Sequence, residues 1–180
     1  MARGDRGITK VVGTVDGIGI VFLDLDGVLC TPKSTKAGGY KALDHQCVRV
    51  LNKFMLRYPE ARIIISSTWR LNSPLRQIRS QLDTAGFRFS GLIIGKTTNK
   101  TEFAGRLYRS RPRGLEIDHW LKRHTQPLWF AIIDDEPDMG VLQTYLVQTY
   151  FETGLQSHHL ELLDLLVQWQ KEAAAKAVGA

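Results

Sequence analysis

The sequence predicts an α/β domain built on a doubly wound parallel sheet. Short apolar runs rich in β-branched residues alternate along the chain with amphipathic segments of helical periodicity. The connections between these segments are short, as expected when helices link neighbouring strands and cover both faces of the sheet. Polar residues also follow three of the apolar runs. Because ligands of such sheets bind outside the carboxyl ends of the strands, these residues predict a functional site.

The first strand is predicted in GIGIVFLDLDG, which ends at Gly27. Its continuous run of β-branched and aromatic residues suits a parallel strand that is buried on both faces. The next segment, TPKSTKAGGYK, is rich in Pro, Gly and Lys and predicts a loop or a small hairpin. It would form at most a mobile flap around Gly38 and Gly39.

The remaining elements alternate as the fold class requires. In chain order we predict a helix in ALDHQCVRVLNKFMLRY, a strand in ARIIISSTWR, a helix in LRQIRSQLDTAGF, a strand in GLIIG, a helix in RGLEIDHWLKRH, a strand in PLWFAIIDDEPD, a strand in TYLVQTYF and a helix in HHLELLDLLVQWQKEAAAK.

The length of 180 residues predicts a single domain. We expect its core to span about residues 19–165, after an N-terminal extension over residues 1–18. Residues 170–180 form an alanine-rich tail that we expect to continue the last helix.

Targeting and cysteine content predict a cytoplasmic protein. The charged N-terminus is not followed by an apolar stretch of signal-peptide length, and no run approaches the roughly 20 apolar residues of a membrane span. The two cysteines, Cys30 and Cys47, lack the spacing of a zinc site and favour a reducing compartment.

Acidic residues end two of the predicted strands, with Asp24 and Asp26 after the first and Asp134 and Asp135 after the fourth. Two carboxylates about 4 Å apart repel by about 4 kcal/mol at an effective dielectric constant of about 20. Such a group favours a cation, and oxygen ligands without His or Cys suit Mg²⁺, which commonly also binds substrate phosphate. Each motif alone has another explanation: a turn for DLDG, a loop for SST and a helix cap for DDEPD. Their occurrence together at three strand ends favours a site.

Three segments carry a resemblance to a known family. VFLDLDGVL, RIIISSTWR and WFAIIDDEPD resemble the motifs of the haloacid dehalogenase (HAD) superfamily of Mg²⁺-dependent phosphohydrolases. SSTWR, IIGKT, RGLEIDHWL, IIDD and VQTYFETGL more closely resemble the small HAD domains of the Swiss Army Knife RNA-repair group, and more distantly the phosphatase half of polynucleotide kinase-phosphatase. The resemblance implies a Rossmann-like sheet with a minimal cap domain or none.

The resemblance also implies roles for the acidic residues. Asp24 would be the nucleophile that forms an aspartyl-phosphate and would ligate Mg²⁺. Asp26 would be the general acid and base, and its backbone carbonyl would also ligate the metal. Asp134 or Asp135 would complete the metal shell, with Asp138 in support.

The phosphate-binding groups are less sharply defined by the resemblance. Ser66 would bind a phosphoryl oxygen, with Ser67 as the alternative. A Lys or Arg should hold the nucleophile and the phosphate, and Arg113 fits that role best. The competing residues are Arg111, Lys96 and Lys122.

Charge and the short cap segment indicate the substrate class. The net charge is +6, and residues 96–113 hold six basic residues against one acidic residue, so anionic partners are favoured. Only a short segment, roughly Cys30 to Ala42, separates the first strand from the first helix, so the crevice should be open to large substrates. Candidates for contacts with the substrate are Arg70, Lys96 and Arg111 for phosphate, and Trp69 and Tyr108 for a base, although Trp69 also suits the core and Arg70 a surface salt bridge.

These observations predict a Mg²⁺-dependent phosphomonoesterase that acts on nucleic-acid ends or nucleotides. A phosphatase for small metabolites and a phosphotransferase would use the same residues. A non-catalytic phosphate- or nucleic-acid-binding module is a further alternative, against which the complete set of acidic residues argues.

Overall fold

One parallel sheet of five strands organises the protein. The computed structural model describes residues 17–39, 42–98, 112–124 and 126–178. The strands are β1 (Gly19–Leu23), β2 (Ala61–Ile65), β3 (Ile93–Lys96), β4 (Trp129–Asp134) and β5 (Leu146–Gln148). All of their pairings are parallel, and their order is β3-β2-β1-β4-β5. The predicted doubly wound α/β fold is confirmed.

Within the described ranges, six helices connect or follow these strands. They are α1 (Pro32–Gly38), α2 (His45–Arg57), α3 (Trp69–Asn72), α4 (Leu75–Thr84), α5 (Arg113–Arg123) and α6 (His159–Val178). Two 3₁₀ helices, Ser90–Leu92 and Gly140–Tyr145, complete the described secondary structure. In the described part of the chain, no helix is both long and apolar enough to cross a membrane.

The sheet separates two hydrophobic clusters because successive strand residues face opposite sides. Val21 and Leu23 pack with residues of α2, α4 and α6 on one side. Ile20 and Phe22 pack with residues of α5 and the second 3₁₀ helix on the other. Every residue of β1 is buried, which explains why its sequence is apolar without alternation.

The prediction for the segment after β1 is wrong. The segment predicted as a loop or small hairpin contains helix α1. Thr31 caps this helix: its hydroxyl accepts the Ser34 backbone N–H, and the Ser34 hydroxyl accepts the Thr31 N–H. Pro32 occupies the first turn, where it needs no backbone donor, and Gly39 ends the helix with a φ of 87°. These end signals outweigh the segment's Gly and Lys content, and α1 is the one helix that the structure describes between β1 and α2.

The strand order places the polar residues at one edge. The chain runs from β1 to β2 and β3 on one side and then returns to β4 and β5 on the other, so the strand order reverses at β1. The first residue beyond β1 and the first residue beyond β2 continue the ladder. The backbone N–H of Asp24 donates to the Ile133 carbonyl at 3.0 Å, and that of Ser66 donates to the Leu23 carbonyl at 2.9 Å. The sheet itself therefore fixes these backbone positions.

Candidate active site

Asp24 lies directly after β1 and is only 3% exposed. Its Oδ1 accepts the Leu25 backbone N–H at 2.8 Å, and the neighbouring Ser67 hydroxyl favours the charged form of the carboxylate. Burial raises the pKa of this carboxyl, while Arg113 and the hydrogen bonds oppose the rise. With Oδ1 engaged by the backbone, Oδ2 is the oxygen that faces the guanidinium of Arg113.

Three carboxylates converge at this edge of the sheet. Asp24, Asp134 and Asp135 each offer an oxygen, and these oxygens lie within 4.8 Å of one another. Burial and the charge of Asp24 raise the pKa of Asp134 to about 8 and that of Asp135 to about 6. Both pKa values rise because burial and the neighbouring negative charge make the ionised carboxylate less favourable. An oxygen-only donor set of this kind fits Mg²⁺.

Arg113 bridges two of these carboxylates. Its Nη2 lies 3.6 Å from Asp24 Oδ2, and its Nε lies 3.5 Å from Asp134 Oδ2. Burial alone would lower the pKa of this guanidinium, but the neighbouring carboxylates Asp24 and Asp134 raise it overall. The arrangement puts one fixed positive charge between the first and fourth strand ends.

The loop after β4 holds Arg113 in place. Asp138 Oδ2 accepts the Arg113 backbone N–H at 2.8 Å, so this aspartate caps α5, a helix that precedes it in sequence. Gly114 allows the close approach, because a Cβ there would lie 2.1 Å from the Met139 carbonyl oxygen. The structure thus places Asp138, predicted to support the metal shell, at the base of Arg113.

The competing basic residues lie elsewhere or outside the described chain. Lys96 Nζ donates to the Arg70 carbonyl at 2.8 Å. Lys122 pairs with Asp118 one helical turn away, and its side chain is 72% exposed. Arg111 and Tyr108 lie outside the described residues. Among the basic residues that the structure describes, only Arg113 forms ion pairs with the acidic cluster.

Asp26 has a separate environment from the three clustered carboxylates. Its Oδ2 accepts a hydrogen bond from Trp69 Nε1 at 2.9 Å. Trp69 is 1% exposed, so its ring belongs to the core and cannot stack on a base. Gly27 turns the chain with a φ of 68°, and a Cβ there would lie 2.3 Å from the Asp135 carboxyl. This glycine lets the loop over residues 24–31, which follows β1 and is called the β1 loop below, lie against Asp135.

The serines after β2 are fully buried. Ser67 Oγ accepts the Trp69 backbone N–H at 3.3 Å. Arg70 Nη1 donates to the carbonyls of Ser66 and Ser67 at 2.7 and 2.8 Å. Its Nη2 forms a buried ion pair with Glu116 of α5. Arg70, predicted as a substrate contact or a surface salt bridge, is 5% exposed and positions the serine backbone instead.

Several buried polar atoms at this edge lack a hydrogen-bond partner within the described residues. They are Ser66 Oγ, Thr97 Oγ1, Arg113 Nη1 and Asp134 Oδ2. Buried polar atoms are normally satisfied, so these atoms are open to a water molecule, an ion or a ligand. The hydroxyl of Ser66 and the guanidinium of Arg113 suit a phosphoryl oxygen, and the carboxylate of Asp134 suits a cation.

Two contacts could not be found by sequence reasoning. The Thr149 hydroxyl donates to the Gly27 carbonyl at 2.7 Å and pins the β1 loop to the end of β5. Glu116 is 4% exposed and holds Arg70, although its sequence position suggests an ordinary helix surface. Both residues fall within segments that carry the family resemblance, RGLEIDHWL and VQTYFETGL, but the resemblance gives neither of them a role, and only their proximity in the fold shows what they contact.

The comparison with protein families matches residues 20–160 to the family described as "HAD domain in Swiss Army Knife RNA repair proteins". The match runs from β1 into α6 and covers every site residue described above. Neither the curated proteins nor the solved structures gave a match to this chain.

Proposed function

The chain belongs to the family of HAD domains in Swiss Army Knife RNA repair proteins, and on this premise we propose that it is a Mg²⁺-dependent phosphomonoesterase acting on nucleotides or nucleic-acid ends. Family membership supports a phosphatase-type hydrolase in general. The observation that carries the proposal is the bridge from Arg113 to Asp24 and Asp134 beside the unpartnered hydroxyl of Ser66.

Asp24 is the proposed nucleophile. Its Oδ2 attacks phosphorus, the bond from phosphorus to the leaving oxygen breaks, and an aspartyl-phosphate forms. Oδ1 remains fixed by the Leu25 N–H, which orients the attacking oxygen. Arg113 Nη1 and Ser66 Oγ, both buried and unpartnered, would donate to the phosphoryl oxygens.

Asp26 is the proposed general acid and base. In the first step it gives its proton to the leaving alkoxide. In the second step it takes a proton from a water molecule that attacks phosphorus, which releases phosphate and restores the Asp24 carboxylate. The hydrogen bond from Trp69 Nε1 holds one carboxylate oxygen of Asp26, and the other oxygen would carry out this transfer.

Asp24, Asp134 and Asp135 are the proposed side-chain ligands of Mg²⁺, together with the backbone carbonyl of Asp26. Their clustered oxygens, and an Asp134 Oδ2 that accepts no hydrogen bond within the described residues, fit a hard cation. When bound, Mg²⁺ would neutralise part of the negative charge of the carboxylates and of the phosphoryl group.

The substrate class follows from access and charge. The connection from β1 to α2 holds one seven-residue helix, α1, so no cap domain limits the size of the substrate at this point. The net charge of +6 favours polyanions. Together these features favour a phosphorylated nucleotide or polynucleotide end over a small enclosed metabolite.

The test is phosphate release from p-nitrophenyl phosphate and from 3′- and 5′-phosphorylated oligonucleotides, with Mg²⁺ and with a chelator. We expect release with Mg²⁺ only, abolished by Asp24→Asn. Asp83→Asn, an exposed position on α4, is the matched control and should keep wild-type activity. Absence of phosphate release by the wild type with Mg²⁺ from every substrate of the panel would overturn the proposal.

A further inference from the structure

A cavity adjoins the proposed general acid. Its volume is about 700 Å³, and its wall includes Asp26, Pro32, Lys36 and Phe151. Small-molecule sites in proteins commonly occupy about 300–1,000 Å³. Neither Phe151 nor Lys36 takes part in the proposed phosphatase chemistry.

We propose that this cavity is a nucleoside subsite, in which the base of the phosphorylated nucleotide stacks on Phe151 while its leaving oxygen reaches Asp26. The inference rests on the proposed function and deepens it by naming the leaving group.

The position of Asp26 determines which part of a substrate the cavity would hold. A general acid must lie within hydrogen-bond reach of the oxygen that it protonates. In a phosphomonoester that oxygen belongs to the leaving group. A cavity with Asp26 in its wall therefore lies where the leaving group lies, and the phosphoryl group lies toward Asp24 and Arg113.

Phe151 supplies a recognition surface for a planar group. It follows β5 in a turn, and half of its side chain is exposed although it is a large aromatic residue. Exposed aromatic faces beside a basic groove are the usual platforms for nucleobases. A nucleobase offers this ring a larger flat π face than a sugar does, so the cavity favours a nucleoside.

The fold fixes Phe151 relative to Asp26. The turn that carries Phe151 is held to the β1 loop by a hydrogen bond from the Leu155 N–H to the Val28 carbonyl at 2.8 Å. Gly154 permits this contact, because its φ is 63° and a Cβ at this position would lie 2.6 Å from the Val28 carbonyl oxygen. The platform and the acid therefore belong to one rigid arrangement.

Helix α1 contributes to the wall of the cavity and brings a positive charge. Lys36 lies in the last turn of α1 and lines the cavity. The second phosphate of an oligonucleotide would lie near this charge, whereas a mononucleotide has no second phosphate. Lys33, on the same helix, lines a different depression and provides a matched control.

The first experiment compares adenosine 5′-monophosphate with ribose 5-phosphate, which share the sugar and the scissile bond and differ in the base. We expect the wild type to prefer the nucleotide in kcat/KM. Phe151→Ala should lower kcat/KM for the nucleotide by about 5- to 150-fold, the range of base–aromatic stacking, and leave ribose 5-phosphate unchanged. Phe151→Trp should keep the preference. Tyr150→Ala is the control, since Tyr150 is 70% exposed and does not line the cavity.

The second experiment separates oligonucleotides from mononucleotides. Lys36→Gln should reduce kcat/KM for a 5′-phosphorylated dinucleotide, reduce its dependence on salt by a slope of about 0.7, and leave the mononucleotide unchanged. Lys33→Gln should change neither. Equal effects of the two lysine substitutions would show that Lys36 contributes only general charge and would overturn its assignment to a second phosphate.

A binding measurement tests the subsite independently of phosphate release. Calorimetry with Asp24→Asn and adenosine 5′-monophosphate should give a dissociation constant that Phe151→Ala raises by the same factor. Equal kcat/KM for the two phosphates, unaltered by Phe151→Ala, would overturn the subsite and leave the phosphatase proposal standing. If the protein binds the nucleotide in a way that depends on Phe151 but releases no phosphate, the phosphatase proposal is overturned and the subsite stands. If the nucleotide does not bind, or binds equally well without Phe151, the subsite is overturned.

Discussion

The indole Nε1 of Trp69 donates to Asp26 Oδ2 at 2.9 Å, and this bond ties the core to the proposed general acid. Trp69 is fully enclosed between the serines after β2 and the β1 loop. A residue whose ring packs in the core thereby fixes the direction of a carboxylate that lines the cavity. Trp69 is a positioning residue in this arrangement, because it acts through Asp26.

Trp69→Phe should keep most of the packing and remove the hydrogen bond. We expect kcat for an alkyl phosphate to fall about tenfold, the value of one charge-assisted hydrogen bond, and kcat for p-nitrophenyl phosphate to fall much less. The difference arises because a good leaving group needs little help from an acid. Trp129→Phe, at another buried tryptophan, is the control for packing and should leave the ratio of the two rates unchanged. Equal loss on both substrates would contradict the role of Trp69.

Arg113→Ala should lower kcat/KM by at least about 100-fold, because the variant loses a fixed donor aimed at the phosphoryl group. Arg113→Lys should recover part of this loss, since the charge returns without the planar fork that spans Asp24 and Asp134. Lys122→Ala, on the solvent side of the same helix, is the control. Steady-state kinetics provide the measurement, and a wild-type kcat/KM in Arg113→Ala would rule out the assignment.

Glu116→Gln should destabilise the protein by about 3 kcal/mol, because it leaves the buried Arg70 charge without its counter-ion. Burial already lowers the pKa of Arg70, and Glu116 opposes that effect. Asp118→Asn breaks an ion pair on the same helix whose lysine is exposed, and it should cost less than about 1 kcal/mol. Urea denaturation measures both, and equal losses in the two variants would refute the argument.

The stability of the metal-free protein should fall as the pH rises. The pKa of Asp134 is about 8 in the folded protein, because of burial and Asp24, and that of an unfolded aspartate is about 3.9. Between these values the folded state holds a proton that the unfolded state has released. The stabilisation that protonated Asp134 gives the folded state is therefore fully present below about pH 4 and is lost as the pH rises through about 8. Asp135, with a pKa of about 6, acts in the same direction over a narrower window.

Mg²⁺ should oppose this loss, since it binds the deprotonated carboxylates. The measurement is the Tm with chelator and with excess Mg²⁺ from about pH 5 to about pH 9, and the difference between the two should grow with pH. Asp134→Asn should flatten the pH dependence. A Tm difference that stays constant across this range would contradict the proposed metal site.

Gly114→Ala should affect both stability and activity. The new Cβ would lie 2.1 Å from the Met139 carbonyl oxygen, so helix α5 must move away from the loop after β4. We expect a loss of about 1–3 kcal/mol in the free energy of unfolding. The fall in kcat/KM should exceed the effect of stability, because Arg113 moves with the helix. Gly91→Ala, where no atom lies within 4 Å of a new Cβ, should alter neither quantity. An active, stable Gly114→Ala variant would show that the close approach is unimportant.

The sequence alone determined the sheet and the residues at its carboxyl edge. Continuous apolar runs such as that of β1 can be buried only between two helical layers, and their alternation with helices leaves a parallel arrangement. Since parallel strands end at one edge, Asp24, Ser66 and Asp134 had to meet there. Their convergence is a consequence of connectivity, which the sequence contains.

The tertiary structure decided what each of these residues contacts. The sequence left four basic residues as candidates for the side chain that holds the nucleophile and the phosphate. The packing of α5 against Met139 places Arg113 beside the carboxylates. It also turned Arg70 inward to Glu116 and Trp69 toward Asp26. Such contacts join residues far apart in the chain and depend on distances of a few tenths of an ångström. Periodicity and motif spacing carry no information at that scale, because these distances are fixed only when the side chains pack and the helices lie on the sheet.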